Sequence, residues 1–175
     1  MTLPGYKYLR SYQLSVIISD LTMEFVKKWI PLTSRTKDQM EQAARSGKQN
    51  IVEGYLEKSL KGYIYLLGIA YASLGELLED YEDFLRQRNL NLWEKEDLRI
   101  REFRALRVFR DFQNSPTTPE LPESPETAAN LLITLIHQAQ FLLSRQMAAL
   151  EEKFVKEGGY TENLFKRRLV ERRKT

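Results

Sequence analysis

The stretch that decides the fold is residues 60–88, which read LKGYIYLLGIAYASLGELLEDYEDFLRQR. Apolar side chains recur in it at alternating spacings of four and three residues, and this is the spacing of a helix that packs against other helices. The positions of this seam are Tyr63, Leu67, Ala70, Leu74, Leu77, Tyr81 and Phe84. The stretch therefore predicts one long helix with a buried face.

The N-terminal region predicts a helix of the same kind over residues 8–30, which Pro31 ends. Two apolar series run side by side along it, so the helix must contact more than one neighbour. The first series is an interhelical seam that contains Leu9, Tyr12, Val16, Met23, Val26 and Ile30, with Ser19 at a small position between them. The second series contains Leu14, Ile18, Leu21 and Phe25.

Residues 34–57 predict a second helix, which Ser34 or Thr36 can cap. Its apolar stripe consists mostly of small residues, namely Met40, Ala44, Gly47, Ile51 and Gly54. The third helix has a small stripe of its own at Gly68, Ala72 and Gly75. Small side chains let a partner backbone approach closely, and this approach can compensate for the helix propensity that glycine lacks. We expect the two helices to meet through these stripes as an antiparallel hairpin joined near Lys58 and Ser59.

The second half of the chain predicts one more long helix and an insertion before it. The long helix covers residues 126–157, and Gly158 and Gly159 end it. Its apolar positions are Leu132, Ile136, Ala139, Leu143, Leu150 and Phe154. In the insertion, residues 91–125, Asn91 can cap a shorter helix from Trp93 to about Phe112. A proline-rich loop follows over 114–125.

These helices predict the fold class and the domain organisation. Four long amphipathic helices in 175 residues are typical of an all-α fold, here an antiparallel up-down four-helix bundle. We expect the bundle to occupy residues 1–159, with the extra short helix between its third and fourth helices. Residues 160–175 then form a basic C-terminal suffix in which Thr161 caps a tail helix.

The composition argues against an enzyme. The chain has no cysteine and a single histidine, His137, so thiolate metal sites and cysteine nucleophiles are excluded. Di-iron bundles place a glutamate three residues before a ligating histidine, and Thr134 stands at that position here. We therefore predict no catalytic activity, no metal, no cofactor and no small-molecule substrate. We interpret His137 as a hydrogen-bonded bundle residue.

Hydropathy along the chain bears on its location. No stretch approaches the roughly 18 apolar residues that a membrane span needs. Residues 1–10 lack the apolar core of a signal peptide. We therefore expect a cytoplasmic protein without a membrane partner.

Two motifs in the second and third helices carry a family resemblance. The second helix contains Asp38-Gln39-Met40, Ala43-Ala44, Ser46 and Asn50-Ile51-Val52-Glu53-Gly54, and the third contains Ile69-Ala70 and Ala72-Ser73-Leu74-Gly75-Glu76-Leu77. In this order they resemble the four-helix-bundle proteins encoded in intervening sequences of bacterial large-subunit ribosomal RNA genes. The accessory variability protein of diversity-generating retroelements is similar to that family. The match covers roughly residues 8–88, and the later region resembles a subgroup with a C-terminal suffix.

The resemblance implies a small non-enzymatic protein that assembles as a homopentameric ring or barrel. For the retroelement relative it also implies a basic surface that binds nucleic acid and a reverse transcriptase as partner. Fold transfers between relatives more safely than function does. The implied partners are therefore expectations that depend on the resemblance alone.

The formal net charge of +3 is unevenly distributed along the chain. Residues 160–175 hold six cationic residues against two glutamates, a net charge of +4, so the other 159 residues carry −1. The six cations are Lys166, Arg167, Arg168, Arg172, Arg173 and Lys174. This density of charge could neutralise several phosphates of RNA or DNA. The alternative is a solvated terminus whose charges only aid solubility.

A second basic cluster lies in the inserted helix. Its arginines Arg101, Arg104 and Arg107 are weaker candidates for phosphate contacts. The alternative is that they pair with carboxylates of the third helix. That helix carries an acidic run, which consists of Glu76, Glu79, Asp80, Glu82 and Asp83.

Polar and aromatic side chains on the helices leave two further questions open. Gln39, Asn50 and Glu53 of the second helix can form interhelical polar contacts that set the register, or they can line the central channel of an oligomer. Two tyrosine groups could stack on bases if exposed, although their helical spacing favours the core or a subunit interface. These groups are Tyr6, Tyr8 and Tyr12, and Tyr63, Tyr65 and Tyr71.

The sequence thus predicts a non-enzymatic, homo-oligomeric helical-bundle protein that binds nucleic acid as an accessory or scaffold factor. The competing hypothesis is a protein-interaction module whose basic tail contacts an acidic partner and binds no nucleic acid. Salt dependence separates the two hypotheses, since phosphate binding weakens steeply as the salt concentration rises.

Overall fold

The computed structural model describes residues 4–105 and 119–174. Within these two ranges every regular element is helical, which confirms the predicted all-α class. The α-helices are α1 (Arg10–Trp29), α2 (Arg35–Leu56), α3 (Leu60–Gln87), α4 (Leu98–Ala105), α5 (Pro125–Glu157) and α6 (Tyr160–Arg172). A 3₁₀ turn, Gly5–Tyr8, precedes α1. The four long helices begin and end within two residues of the predicted ranges.

Serine side chains begin three of the long helices. The Ser34 hydroxyl accepts a hydrogen bond from the backbone N–H of Thr36 at 3.2 Å, and Ser59 accepts one from Gly62 at 3.0 Å. Ser124 caps α5 in the same way. These bonds satisfy N–H groups that a helix leaves unpaired in its first turn. Of the two predicted caps for α2, Ser34 is the one used.

Proline and glycine end the first and last long helices. Ile30, which precedes Pro31, is extended with φ −106° and ψ 130°, the conformation that a residue before proline prefers. Gly158 follows α5 with φ 78°, a left-handed conformation that glycine adopts without steric cost. The chain therefore breaks after α5, and α6 begins as a separate helix.

The core lies between the four long helices, each of which packs against two of the others. Both α1 and α3 contact α2 and α5. Side chains with no exposed surface come from all four, and they include Phe25, Met40, Leu74, Tyr81 and Leu132. Each such side chain contributes about 1.5–3 kcal/mol relative to an exposed position.

One hydrogen bond in the core joins α1 to α3. The Tyr81 hydroxyl donates to the hydroxyl oxygen of Thr22 at 2.9 Å, and both residues are fully buried. The Phe25 ring packs edge-on against the Tyr81 ring, with centroids 4.9 Å apart. Because an unpaired buried hydroxyl costs about 1–3 kcal/mol, this bond favours one register between the two helices.

The buried face of α1 differs from the predicted seam. The second apolar series is fully buried from Leu14 to Phe25, whereas Met23 of the first series is 49 % exposed. The buried arc of α1 is centred on the second series because α1 contacts both α2 and α5. In the predicted seam Ser19, Val26 and Ile30 are buried as expected, and Met23 lies outside the buried arc.

The small stripe of α2 faces α3, as predicted. A Cβ added to Gly47 would lie 3.0 Å from the side chain of Leu74, and one added to Gly54 would lie 2.8 Å from the ring of Tyr63. The hydroxyl oxygens of Ser46 and Ser73 lie 2.8 Å apart beside this contact. The two helices can approach this closely only because α2 has glycine at these positions.

The small stripe of α3 does not face α2, so that part of the hairpin prediction is wrong. A Cβ added to Gly68 would meet no atom within 4 Å, Ala72 is exposed, and Gly75 lies beside Gln140 of α5. Large seam residues of α3 such as Leu74 occupy the space opposite the glycines of α2. The small residues of α2 pack against large residues of α3 and fill this interface, whereas small residues on both helices would leave a void.

The inserted helix also differs from its prediction. It begins at Leu98 instead of Trp93, and the part predicted beyond Ala105 lies outside the described residues. The carboxylate of Asp97 accepts a hydrogen bond from the backbone N–H of Arg99 at 2.9 Å, so Asp97 takes the capping role predicted for Asn91. Residues 91–97 form a non-helical segment that leads into α4.

Two side chains of α5 hold the segment before α4. Glu126 accepts hydrogen bonds from the backbone N–H of Asn91 at 3.0 Å and from the indole N–H of Trp93 at 2.9 Å. Asn130 accepts from the Trp93 backbone N–H at 2.8 Å and donates to the Asn91 carbonyl at 2.9 Å. The donors at Asn91 and Trp93 stabilise the carboxylate and lower the pKa of Glu126. Asn91 therefore attaches the segment to α5.

Candidate nucleic-acid interface

The basic suffix is a helix whose start is defined by Gly159 and Glu162. The Glu162 carboxylate accepts a hydrogen bond from the backbone N–H of Gly159 at 2.7 Å. A carboxylate in the first turn is also favourable because the N-terminal end of a helix carries partial positive charge. Thr161 lies inside this first turn, so the prediction that it caps the tail helix is wrong.

α6 contributes nothing to the core. It has no buried residue along its whole length, from Tyr160 to Arg172. Its first turn lies beside the loop between α2 and α3, where Lys58, Tyr160 and Leu164 line one shallow recess. The helix therefore presents almost all of its surface to the solvent.

The cations of α6 and of the two residues after it, Arg173 and Lys174, are exposed, and few of them are paired. Lys174 pairs with Glu171 at 3.1 Å. Lys166, Arg167, Arg168 and Arg173 form no ion pair with any residue that the structure describes; Arg172 has a further interaction of its own. Three long cationic side chains of α6, together with Arg173 directly after it, thus stay available to phosphate groups.

The arginines of α4 do not pair with the acidic run of α3. Arg101 and Arg104 are exposed and form no ion pair within residues 4–105 and 119–174. Arg99 is paired with its neighbour Asp97, with 2.7 Å between nitrogen and oxygen. The bonds from Arg99 lower the pKa of Asp97 to about 2. Arg107 lies outside the described residues. The alternative of pairing with α3 is therefore wrong for Arg101 and Arg104.

The acidic run of α3 is largely uncompensated. One member, Asp83, pairs with Arg86 of the same helix at 2.6 Å. Asp80 is partly buried, and this burial raises its pKa, with further contributions from the carboxylates of Asp83 and Glu76. The described part of the chain therefore has a negative face on α3 and cationic faces on α4 and α6.

The structure does not bring the two basic clusters together. α4 packs against α5, in the region where Asn130 and Trp93 meet. α6 follows the C-terminal end of α5 and has no buried residue, so no packed interface joins it to α4. Any ligand that contacts both clusters must span much of α5.

The polar residues predicted on α2 have different surroundings. The Asn50 amide donates to the Ser46 carbonyl at 2.9 Å and to the Ser46 hydroxyl, which also contacts Ser73 of α3. Asn50 thus supports a polar contact between α2 and α3. Gln39 and Glu53 are exposed and form no hydrogen bond with other described residues.

The tyrosines divide into packed and exposed groups. The rings of Tyr6, Tyr12, Tyr55 and Tyr63 form a series of edge-on contacts with centroids 5.1–6.2 Å apart. These contacts hold the 3₁₀ turn against α1, α2 and α3. Tyr8, Tyr65 and Tyr71 are 47 %, 68 % and 39 % exposed, and Tyr55 of the packed series is itself 40 % exposed.

His137 is not the hydrogen-bonded residue that the sequence suggested. Its side chain is exposed on α5 and forms no hydrogen bond with any residue that the structure describes. Its neighbour Thr134 instead donates to the Asn130 carbonyl at 2.8 Å. Across residues 4–105 and 119–174, no three His, Asp or Glu side chains are grouped so that they could hold a metal ion.

No helix within the described residues combines the length and apolar character needed to cross a membrane. The long helices instead carry charged side chains on the faces that point away from the core.

Sequence reasoning missed the exposed apolar residues of α6. Leu164, Phe165, Leu169 and Val170 are 40–59 % exposed among the cations. Their presence was visible in the sequence, and they are concentrated in a segment whose charge otherwise favours solvent. Exposed apolar side chains thus lie among the cations of this helix.

Comparison with known proteins gives no relative. No family model matches the chain, and neither a curated protein nor a solved structure matches it significantly. The resemblance of α2 and α3 to the intervening-sequence proteins thus depends only on the residues quoted above.

Proposed function

We propose that this chain is a non-enzymatic helical-bundle protein that self-associates and binds nucleic acid through α6. The observation that supports this best is the exposure of the four cations of α6 and of Arg173 and Lys174 after it, since a helix without a structural role in the core is free to bind a ligand. Contacts from these cations to phosphates would give affinity that is electrostatic and insensitive to sequence. Arg101, Arg104 and Arg107 would add weaker contacts.

The proposal includes an antiparallel up-down arrangement of α1, α2, α3 and α5. Gln146, in the C-terminal half of α5, bonds to Ser11 near the start of α1 and to Tyr63 near the start of α3. Tyr55, at the end of α2, packs against Tyr6 and Tyr63. Starts of α1 and α3 thus meet ends of α2 and α5, as alternating directions require.

Self-association is supported by the outward face of α3. Tyr65 is 68 % exposed, Gly68 has open space beside it, and Ala72 is exposed one turn further on. Small residues on an exposed helix face would let the backbone of a second copy approach closely. The resemblance implies a pentamer, in which the basic helices would be repeated by symmetry and would act together on one ligand.

Light scattering tests the assembly. We expect a particle several times the chain mass of 20.6 kDa at micromolar concentration. Gly68→Arg should reduce this mass because a long cation would replace open space on the interface, whereas the matched Gly68→Ala should retain the assembly. A 20.6 kDa particle for the unmodified chain would contradict self-association.

Electrophoretic shift assays at rising salt test nucleic-acid binding. Truncation after Gly159 should abolish binding to mixed RNA or DNA at low salt. The triple change Lys166→Gln, Arg167→Gln and Arg168→Gln should lower the slope of log affinity against log salt by about 2–3, since each lost contact contributes about 0.7–0.9.

A matched triple change controls for net charge. Lys27→Gln, Arg35→Gln and Arg45→Gln remove the same charge from exposed positions of α1 and α2. These changes should leave the salt slope unaltered. Equal losses in the two triple variants, or undiminished binding after truncation, would show that α6 is not the binding element.

The apolar residues of α6 favour a second candidate function, a protein-interaction module. Phosphate binding does not need Phe165, which is 59 % exposed, or Leu169, which is 40 % exposed. A protein partner with an acidic, apolar groove would use both the cations and these side chains. Absence of any salt-dependent shift with nucleic acid, together with binding to such a partner, would establish this alternative.

The biological setting would follow from the genes around this one. A reverse transcriptase gene and a variable repeat nearby would support the retroelement role, with the reverse transcriptase as partner. A surrounding ribosomal RNA gene would support the intervening-sequence role.

A further inference from the structure

A cavity of about 680 Å³ lies between α4 and α5, on the side where the start of α1 reaches them. Its walls come from these helices, from the segment before α4 and from one residue of α3. Its volume falls within the range of about 300–1,000 Å³ that small-molecule sites in proteins occupy. The core packing does not account for it, and of its lining residues the proposed nucleic-acid function uses Arg104 alone.

The inner wall of the cavity is apolar. Leu14 and Ile133 line it with 0 % and 5 % of their surfaces exposed, and Ile100 adds a third aliphatic side chain from α4. Phe141 stands at the edge and is 63 % exposed. Leu14, Ile100 and Ile133 have almost no exposed surface left to cover, whereas Leu92 at the same cavity is 51 % exposed. Covering Leu92 and Phe141 with an apolar group would be favourable by about 25 cal/mol for each square ångström removed from water.

The rim of the cavity is cationic. Arg10, Lys95 and Arg104 line it against one carboxylate, Glu82, and the imidazole of His137 adds a polar edge. Lys95 and Arg104 are exposed and have no ion-pair partner among the residues that the structure describes. The charge of the rim therefore complements an anion.

Polar groups inside the cavity already have partners. The Asn130 side chain bonds to Trp93 and to the Asn91 carbonyl, and the Thr134 hydroxyl donates to the Asn130 carbonyl. The guanidinium of Arg99 lies 3.5 Å from the centre of the Trp93 ring, which holds the indole in place. The walls are thus preformed, and recognition of a polar group falls to the rim.

We infer that this cavity binds an amphipathic organic anion, whose acyl or ring body lies against the exposed apolar surfaces of Leu92 and Phe141 and whose carboxylate or phosphate lies at Lys95 and Arg104. The inference goes beyond the proposed function and departs from the expectation that the chain takes no small molecule. It concerns a bound ligand and involves no reaction. A neutral ligand of the same size would lack the electrostatic attraction to the cationic rim.

Calorimetry on the full chain tests the inference with decanoate, decyl phosphate and the neutral decanol, each below its micelle-forming concentration. Both anions should bind at least about tenfold more tightly than decanol. The anion that binds with the higher affinity identifies the head group that the rim prefers. Equal affinity for decanol and the anions, or no binding of any probe, would overturn the inference.

Two variants and a control locate the binding. Lys95→Glu should weaken both anions by about tenfold without affecting decanol. His137→Trp, at an exposed position, should weaken all three probes because the larger ring occupies the cavity. Arg35→Glu, an exposed charge reversal on α2 outside the cavity, should change nothing. Binding that neither variant weakens would place the ligand elsewhere and refute the proposed site.

The same variants separate this inference from the proposed function. Lys95 and His137 are not among the residues assigned to nucleic acid. In the electrophoretic assay we therefore expect their variants to bind RNA or DNA with the same affinity as the unmodified chain. Loss of anion binding in these variants with retained nucleic-acid binding would support both assignments. Truncation after Gly159 should abolish nucleic-acid binding and leave the affinity of the cavity for the anions unchanged.

Discussion

Helices α2 and α6 are both rich in charged and amide side chains, yet one belongs to the core and the other does not. α2 buries a stripe that includes Met40, Ala44, Gly47 and Ile51. α6 buries no residue, although it contains large apolar side chains such as Leu164 and Phe165. The two helices therefore differ in the use of their apolar residues and not simply in the number of them.

The spacing of the apolar residues explains this difference. In α2 the buried positions repeat at four and three residues, so they lie on one face of the helix. In α6 the apolar residues come in adjacent pairs, 164–165 and 169–170, and adjacent residues point about 100° apart. No single face of α6 is apolar enough to pack against the long helices. The helix consequently keeps its cations and its apolar side chains on the surface.

The largest expected effect comes from removing a core side chain of α2. Ile51→Ala should lower the free energy of unfolding by about 2–5 kcal/mol because Ile51 is fully buried and its removal leaves a cavity. Leu164→Ala in α6 should change it by less than about 0.5 kcal/mol. Urea unfolding of both variants measures the contrast, and similar losses would mean that α6 packs as α2 does.

Two glycines that the sequence treats alike should respond with opposite signs. Gly47→Ala should destabilise by about 1–3 kcal/mol since the new Cβ would lie 3.0 Å from Leu74. Gly68→Ala on the outward face of α3 should stabilise by up to about 1 kcal/mol because alanine has the higher helix propensity and the space is open. Thermal unfolding of the two variants would refute this contrast if both melted lower than the unmodified chain.

A smaller, pH-dependent effect is expected at Asp80, which lines a recess with Gln39 of α2. The pKa of Asp80 is raised above its ordinary value of 3.8, so its carboxylate opposes folding at pH above the folded-state pKa and has no effect where it is protonated in both states. Asp80→Asn should therefore stabilise the fold at pH 7, by less than about 1 kcal/mol because solvent screens the charge. The gain should shrink as the pH falls towards 3.8, and a gain of equal size at pH 4 would contradict the assignment.

The smallest effect should follow from deleting α6. Truncation after Gly159 removes no buried side chain, so the urea midpoint should not change measurably. The same truncation is expected to abolish nucleic-acid binding, which makes it a test of the division between folding and recognition. A clear loss of stability would show that the suffix belongs to the folded unit.

The sequence predicted where the helices begin and end better than it predicted which face of each helix is buried. The ranges of the long helices, the Ser34 cap and the glycine break after α5 follow from local rules of propensity and capping. The exposure of Met23 in the seam of α1 and the outward position of Gly68 on α3 did not, because which face is buried depends on where neighbouring helices lie. The prediction that Asn91 caps the inserted helix failed for a related reason. Asn91 bonds to Glu126 of α5, and Asp97 caps α4 instead.

Of the candidate site, the cationic charge of residues 160–175 was determined by the sequence alone, because charge density needs no tertiary context. Only the tertiary structure decided that four of these cations stand on a helix with no buried residue, that Arg101 and Arg104 form no ion pair with the acidic run of α3 among the described residues, and that a cationic rim surrounds an apolar cavity beside α5. Helices that are distant in the sequence bring such groups together in space or keep them apart. Their relative placement depends on the packing of the whole core, which no local pattern encodes.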